Sequence, residues 1–131
     1  MKQTPQIIMH EIAEYLDELN AKGRVKRNPR NEKGYAKIQQ IRRGCDVWFH
    51  HLLDDRLIID LMISEAARRD HNEAADKSIS VFKFNYKENV ESWQHALDGR
   101  NYERYFVDVS RFSLDNLKKV TDQIRERFSK I

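Results

Sequence analysis

The clearest rhythm in the chain lies at its two ends. Ile8, Ile12, Tyr15, Leu16 and Leu19 step by four, three, one and three, with Glu11, Glu14, Asp17 and Glu18 between them. This spacing predicts an amphipathic helix with one buried stripe. Thr4 suits its N-cap, Pro5 its first turn, and Gly23 its termination. A second stripe of Leu117, Val120, Ile124, Phe128 and Ile131 predicts a closing helix. Ser113 would cap it, Asp115 sits in the first turn, and Arg125, Arg127 and Lys130 suit its negative end.

A different rhythm occupies the middle, GCDVWFHHLLDDRLIIDLMIS over 44–64. Val, Ile, Phe, Trp and Leu dominate two runs, 46–53 and 56–63, which read as strands joined by Asp54-Asp55. A two-residue loop sets Leu52 opposite Leu57, His50 opposite Ile59 and Trp48 opposite Leu61, and that group is the expected core face. The other face then carries Val47, Phe49, His51, Leu53, Ile58, Asp60 and Met62. That is too apolar for a solvated surface, so it is expected to be an interface, with a homodimer as its simplest use. His51 and Asp60 would be its polar pair.

Between these landmarks, 23–34 reads as a loop, with two Gly, one Pro, two Asn and the single apolar Val25. Residues 35–42 read as a first strand, turning at Arg42-Arg43-Gly44. Residues 64–78 are polar and small, with Asp70 or Asn72 able to cap a helix. Ile79, Phe82, Tyr86, Val90, Trp93 and Leu97 then recur at helical spacing, which predicts a helix over 72–98 stopped by Gly99. A strand at 79–85 followed by a helix from 87 is the alternative. Residues 102–109, YERYFVDV, read as a strand. The expected architecture is one α+β domain over 1–131. A largely antiparallel sheet, a three-strand meander plus one further strand, is packed by three helices in the order α-β-β-β-α-β-α.

Several of these stretches together resemble a known domain. They are the first-helix stripe, the meander IRRGCDVWFHHLLDDRLIIDLMI after a basic loop, Phe82-x3-Tyr86…Trp93-x3-Leu97-x-Gly99, and the ending Arg125-Glu126-Arg127-Phe128. Their layout is similar to a small α/β domain of unknown function that recurs C-terminal to restriction-type nuclease modules. The polar insert at 64–78 departs from it. The resemblance implies the α+β fold and a link to nucleic-acid defence systems, and it implies no mechanism.

Charge changes the picture more than composition does. The net charge of the 131 residues is only +3, yet nine cations face one anion, Glu32, over the 22 residues 22–43. That segment carries +8 and leaves −5 for the remainder. Such asymmetry speaks of partners: phosphate backbone, or an acidic protein. Arg24, Lys26, Arg27, Arg30, Lys33, Lys37, Arg42 and Arg43 are the expected backbone contacts, with Tyr35 placed to stack on a base. No secretory signal pattern and no apolar run of membrane-spanning length is found, and one cysteine cannot build a disulfide framework. A cytoplasmic setting is expected.

Catalytic chemistry finds few candidates. Adjacent strand residues point to opposite faces, so His50 and His51 cannot share one metal ion. His51 with Asp60 falls short of a hydrolase or metal set and reads as a structural pair. A restriction-class nuclease needs an acid-x-Lys beside its Asp, and Val81 stands two before the strand candidate Lys83. Arg42 and Arg43 could lower the Cys45 thiol pKa, but no triad partner accompanies it, so a small residue starting a strand is the simpler reading. The four glycines form no phosphate loop. The expectation is therefore a non-enzymatic nucleic-acid-binding module without metal or cofactor. A protein-interaction or inhibitor domain is the alternative, and a small hydrolase using His51 and Asp60 the second.

Overall fold

The computed structural model describes residues 3–23, 25–26, 35–51, 57–85, 90–94, 101–106 and 112–129, with the backbone alone at 26, 35–36, 90–94 and 101–106. The first helix, α1 (Pro5–Asn20), starts as its sequence dictates. Thr4 is extended at the N-cap, its Oγ1 accepts from the Ile7 N–H at 3.2 Å, and Pro5 fills the first turn. Ile8, Met9, Ile12, Tyr15, Leu16 and Leu19 are its buried stripe.

Three long strands form the expected meander: β2 (Tyr35–Arg42), β3 (Cys45–His51) and β4 (Leu57–Ile63). A two-residue strand, β1 (Val25–Lys26), pairs with β2 inside the stretch expected to be loop. Its Val25 is the one apolar side chain available there, and it packs against the core. After β4, Ser64 caps α2 (Glu65–Asp70) through Ala67 N–H···Oγ at 3.1 Å, and α3 (Asn72–Asn85) follows.

The helix expected over 72–98 ends at Asn85, and the alternative strand at 79–85 is helical instead. Val90 to Gln94 is a strand, β5, paired antiparallel with the backbone of β6 (Asn101–Phe106), which in turn pairs with β4. Ile79 and Phe82 do face the core, but Val90 and Trp93 belong to the sheet. Aromatic and β-branched residues suit either element, and here the pairing partner decides. The closing helix, α4 (Leu114–Ser129), has the expected Ser113 cap, donated to by Asn116 N–H.

The sheet order is β1-β2-β3-β4-β6-β5, antiparallel throughout. The helices supply one cover: side chains of α1, α3 and α4 share a core with Cys45, Val47, Phe49, Leu57, Ile59, Leu61 and Ile63. The protein is thus α+β, with helices packed on an antiparallel sheet.

The pairing of β3 with β4 differs by one residue from the expected hairpin. Trp48 lies opposite Asp60, Phe49 opposite Ile59 and His50 opposite Ile58. With a period of two, a one-residue slip exchanges the faces of one strand relative to the other. Val47 and Phe49 therefore lie under the helices, while Trp48 and His50 share the opposite face with Ile58, Asp60 and Met62. The apolar group assigned to a dimer interface does not form one surface. Val47 and Phe49 are fully buried in the helix-side core, and Ile58 and Met62 are buried on the other side of the sheet. His51 lies opposite Leu57 in the register, and Leu53 is outside the described residues.

Candidate nucleic-acid interface and the buried His50–Asp60 pair

Part of the basic segment lies on the two strands at one edge of the sheet. β1 is the outermost strand, and 27–34 connects it to β2. Lys26 and Tyr35 flank that connection on β1 and β2. Lys37 lies opposite Phe49 in the register and is half-buried. Arg24, Arg27, Arg30 and Lys33 are outside the described residues. Arg42 and Arg43 stand at the other end of β2. Seven residue steps of about 3.3 Å separate Arg42 from Tyr35, roughly 23 Å. Of the described cations, Lys26 pairs with Ile38 and Lys37 lies within β2, while Arg42 ends the strand and Arg43 follows it in the turn.

The Arg42–Arg43 end is the better defined of the two. The Arg42 guanidinium lies 5.1 Å from the centroid of the Phe128 ring in the last turn of α4, and its Nε–H donates to the Arg43 carbonyl at 3.2 Å. A bulge between Gln40 and Arg42 brings Arg42 opposite Cys45, so Arg43-Gly44 forms a two-residue turn. Gly44 has φ +86°, and a Cβ there would come 2.5 Å from Ser64 Oγ. The Ser64 N–H donates to the Gly44 carbonyl at 2.8 Å, tying the turn to the start of α2.

Cys45 follows this turn, and its thiol is not activated. Burial, with a smaller contribution from Asp46, pushes it up to about 12 against the opposing influence of Arg42. The side chain is fully buried. The cost of desolvating the thiolate outweighs the attraction of the nearby guanidinium.

On the sheet face away from the helix-side core lies the polar group that sequence reasoning misassigned. His50, not His51, meets Asp60, with Nε2 3.1 Å from Oδ2. The oxygen lies off the ring N–H direction, so the contact has ion-pair distance without hydrogen-bond geometry. Trp48 stacks on His50 with centroids 5.9 Å apart and planes 20° from parallel. Asp46 and Asp60 are both buried. Parity alone names these partners once the loop length is right, since even positions of β3 and β4 share a face.

The chemical capacity of this group is limited. Among the described residues no three His, Cys, Asp or Glu side chains converge to hold a metal ion. Elsewhere, Gln39 is buried on β2 and donates Nε2–H to Tyr15 Oη at 3.2 Å, and Tyr15 Oη lies 3.5 Å from Thr121 Oγ1. These bonds link β2, α1 and α4 within the core and point to no ligand. Among the described residues no helix is long and apolar enough to cross a membrane.

Comparison with known proteins supplies no further guide: no family model, no curated protein and no solved structure matches this chain.

Proposed function

We propose that this protein is a non-enzymatic binding module that contacts nucleic-acid backbone through its basic segment, in a cytoplasmic defence or mobile-element setting. One observation carries the reading. The segment 22–43 carries a net charge of +8, and it contains β1 and β2, the two strands at one edge of the sheet. An edge hairpin can approach a polyanion without disturbing the core, and each cation meeting a phosphate releases counterions. The alternatives are an acidic protein partner for the same segment, and a hydrolase built on the His–Asp pair.

The test is binding to duplex and single strands as a function of salt. Four to six phosphate contacts give a log–log slope of about −4 to −5 on duplex, at roughly −0.9 per contact. Replacing Lys26, Arg27, Arg30 and Lys33 together by Gln is expected to flatten that slope and weaken all sequences alike. Absence of binding at low salt by the wild type would sink the proposal, and binding to an acidic protein in its place would favour the alternative. Asp60→Asn is expected to alter stability by about 1–3 kcal/mol, the scale for disturbing a buried polar partner. A metal-dependent cleavage of DNA or RNA that disappears in this variant would establish the hydrolase instead.

A further inference from the structure

The cations of β2 that sit within the sheet turn towards the helices. Lys37 lies opposite Phe49, and Phe49 belongs to the helix-side core, so Lys37 shares that face. The bulge between Gln40 and Arg42 sets Arg42 on the same side, over the Phe128 ring of α4. Two ties lay α4 alongside this strand. Gln39 reaches Thr121 through the Tyr15 hydroxyl, and Arg42 meets Phe128. Gln39 to Arg42 is three strand steps, about 10 Å. Thr121 to Phe128 is seven helical residues, also about 10 Å. Three residues before Thr121, Lys118 is half-buried, with Nζ 5.2 Å from the centroid of the Tyr15 ring. It is thus held beside the middle of β2, although it stands far outside the basic segment in sequence. Other helix cations are neutralised: Arg68 pairs with Asp76, Lys77 with Glu73 and Arg125 with Asp122, at 2.6 to 2.9 Å. Neither Lys118 nor Arg42 meets a carboxylate among the described residues. A cation already seated on a ring loses less freedom when it takes up a phosphate.

We infer that the nucleic-acid contact surface continues from β2 onto the flank of α4, with Lys118 as a phosphate contact outside the basic segment. This rests on the nucleic-acid reading above and adds a direction of approach to it. The backbone comes in on the helix side of the strand, where Lys37, Arg42 and Lys118 lie, and not on the face of Trp48, His50 and Asp60. The exposed Glu14, Asp17 and Glu18 of α1 repel a polyanion and direct it to α4 instead. Lys119 provides the internal comparison. It has the same charge and the same helix, but it is exposed and lies about 100° further round the axis, away from Tyr15. Net charge alone would make the two lysines equivalent, whereas a surface along β2 and α4 makes Lys118 a contact and Lys119 a bystander.

The experiment compares wild type with Lys118→Gln, Lys118→Arg and Lys119→Gln. Fluorescence anisotropy on a loop-capped duplex of about 15 base pairs, across a salt series, gives the log–log slope for each. Urea midpoints measured in parallel establish that each variant is folded. Lys118→Met, which keeps an apolar stem over Tyr15, repeats the test should the Gln variant unfold. Lys118→Gln is expected to reduce the slope by about 1, at roughly 0.9 per phosphate lost. Lys118→Arg and Lys119→Gln are expected to keep the wild-type slope. A folded Lys118→Gln protein with the wild-type slope would overturn the α4 surface, and so would a Lys119→Gln protein that loses as much. If the basic-segment variant still flattened the slope in either case, the nucleic-acid reading would survive. Wild type that binds neither duplex nor a single strand removes both.

Discussion

The register of β3 against β4 can be tested with two neighbouring side chains. Phe49 is fully buried beneath the helices and Trp48 is only partly buried on the opposite face. Phe49→Ala removes a whole aromatic ring from a close-packed core, at about 3–5 kcal/mol for transfer and residual cavity together. Trp48→Ala loses a ring that is already partly in water and stacked on His50. It also removes an indole N–H that has no hydrogen-bond partner in its buried position, which offsets part of the loss. Its cost should be about 1–2 kcal/mol, since burial is incomplete. In urea, with m near 1.5 kcal/mol per molar, the Phe49 variant should lose roughly 2–3 M of midpoint and the Trp48 variant about 1 M. Far-UV circular dichroism is the appropriate probe, because one substitution removes a fluorophore. The pairing set by an Asp54-Asp55 two-residue turn requires the reverse order, with Trp48 in the core. If Trp48→Ala destabilises as much as Phe49→Ala or more, the observed register and all that follows from it are wrong.

Two further outcomes follow from the β2–β3 turn. The Cys45 thiol, pushed up to about 12, should resist iodoacetamide in the folded protein at pH 8 and react readily in urea. Its folded pKa is raised, so its contribution to stability is complete below the ordinary thiol value of 9.0 and is lost as pH climbs towards 12. The stability difference between wild type and Cys45→Ala should therefore shrink by about 1.4 kcal/mol per pH unit above 9, and a difference independent of pH would refute the burial argument. Gly44→Ala forces a side chain into φ +86° and within 2.5 Å of Ser64 Oγ, so a loss of about 1–3 kcal/mol is expected, and an unchanged melting temperature would contradict it.

Elements with one buried face were legible in the sequence. The stripes of α1 and α4, with Thr4 and Ser113 at their starts, have a single consistent orientation, and the structure buries the residues they nominate, except Ile131, which lies outside the described residues. The meander was legible too, because Gly44 after two arginines marks a turn that few other residues could make. So was the concentration of positive charge, which needs no coordinates.

Tertiary structure decided what local pattern leaves degenerate. All seven residues of β4 are buried, so its sequence contains no polar–apolar alternation from which a face could be read. Only the pairing with β3 assigned the faces, and that one-residue difference moved Phe49 into the core and chose His50 over His51 as the partner of Asp60. The stretch from Ile79 to Trp93 has a helical period throughout, yet it divides between α3 and β5, because backbone pairing with β6 holds Val90 to Gln94 in a strand. Period and capping are local properties of a chain, whereas register and strand partnership depend on residues distant in sequence, and here they determined which side chains meet.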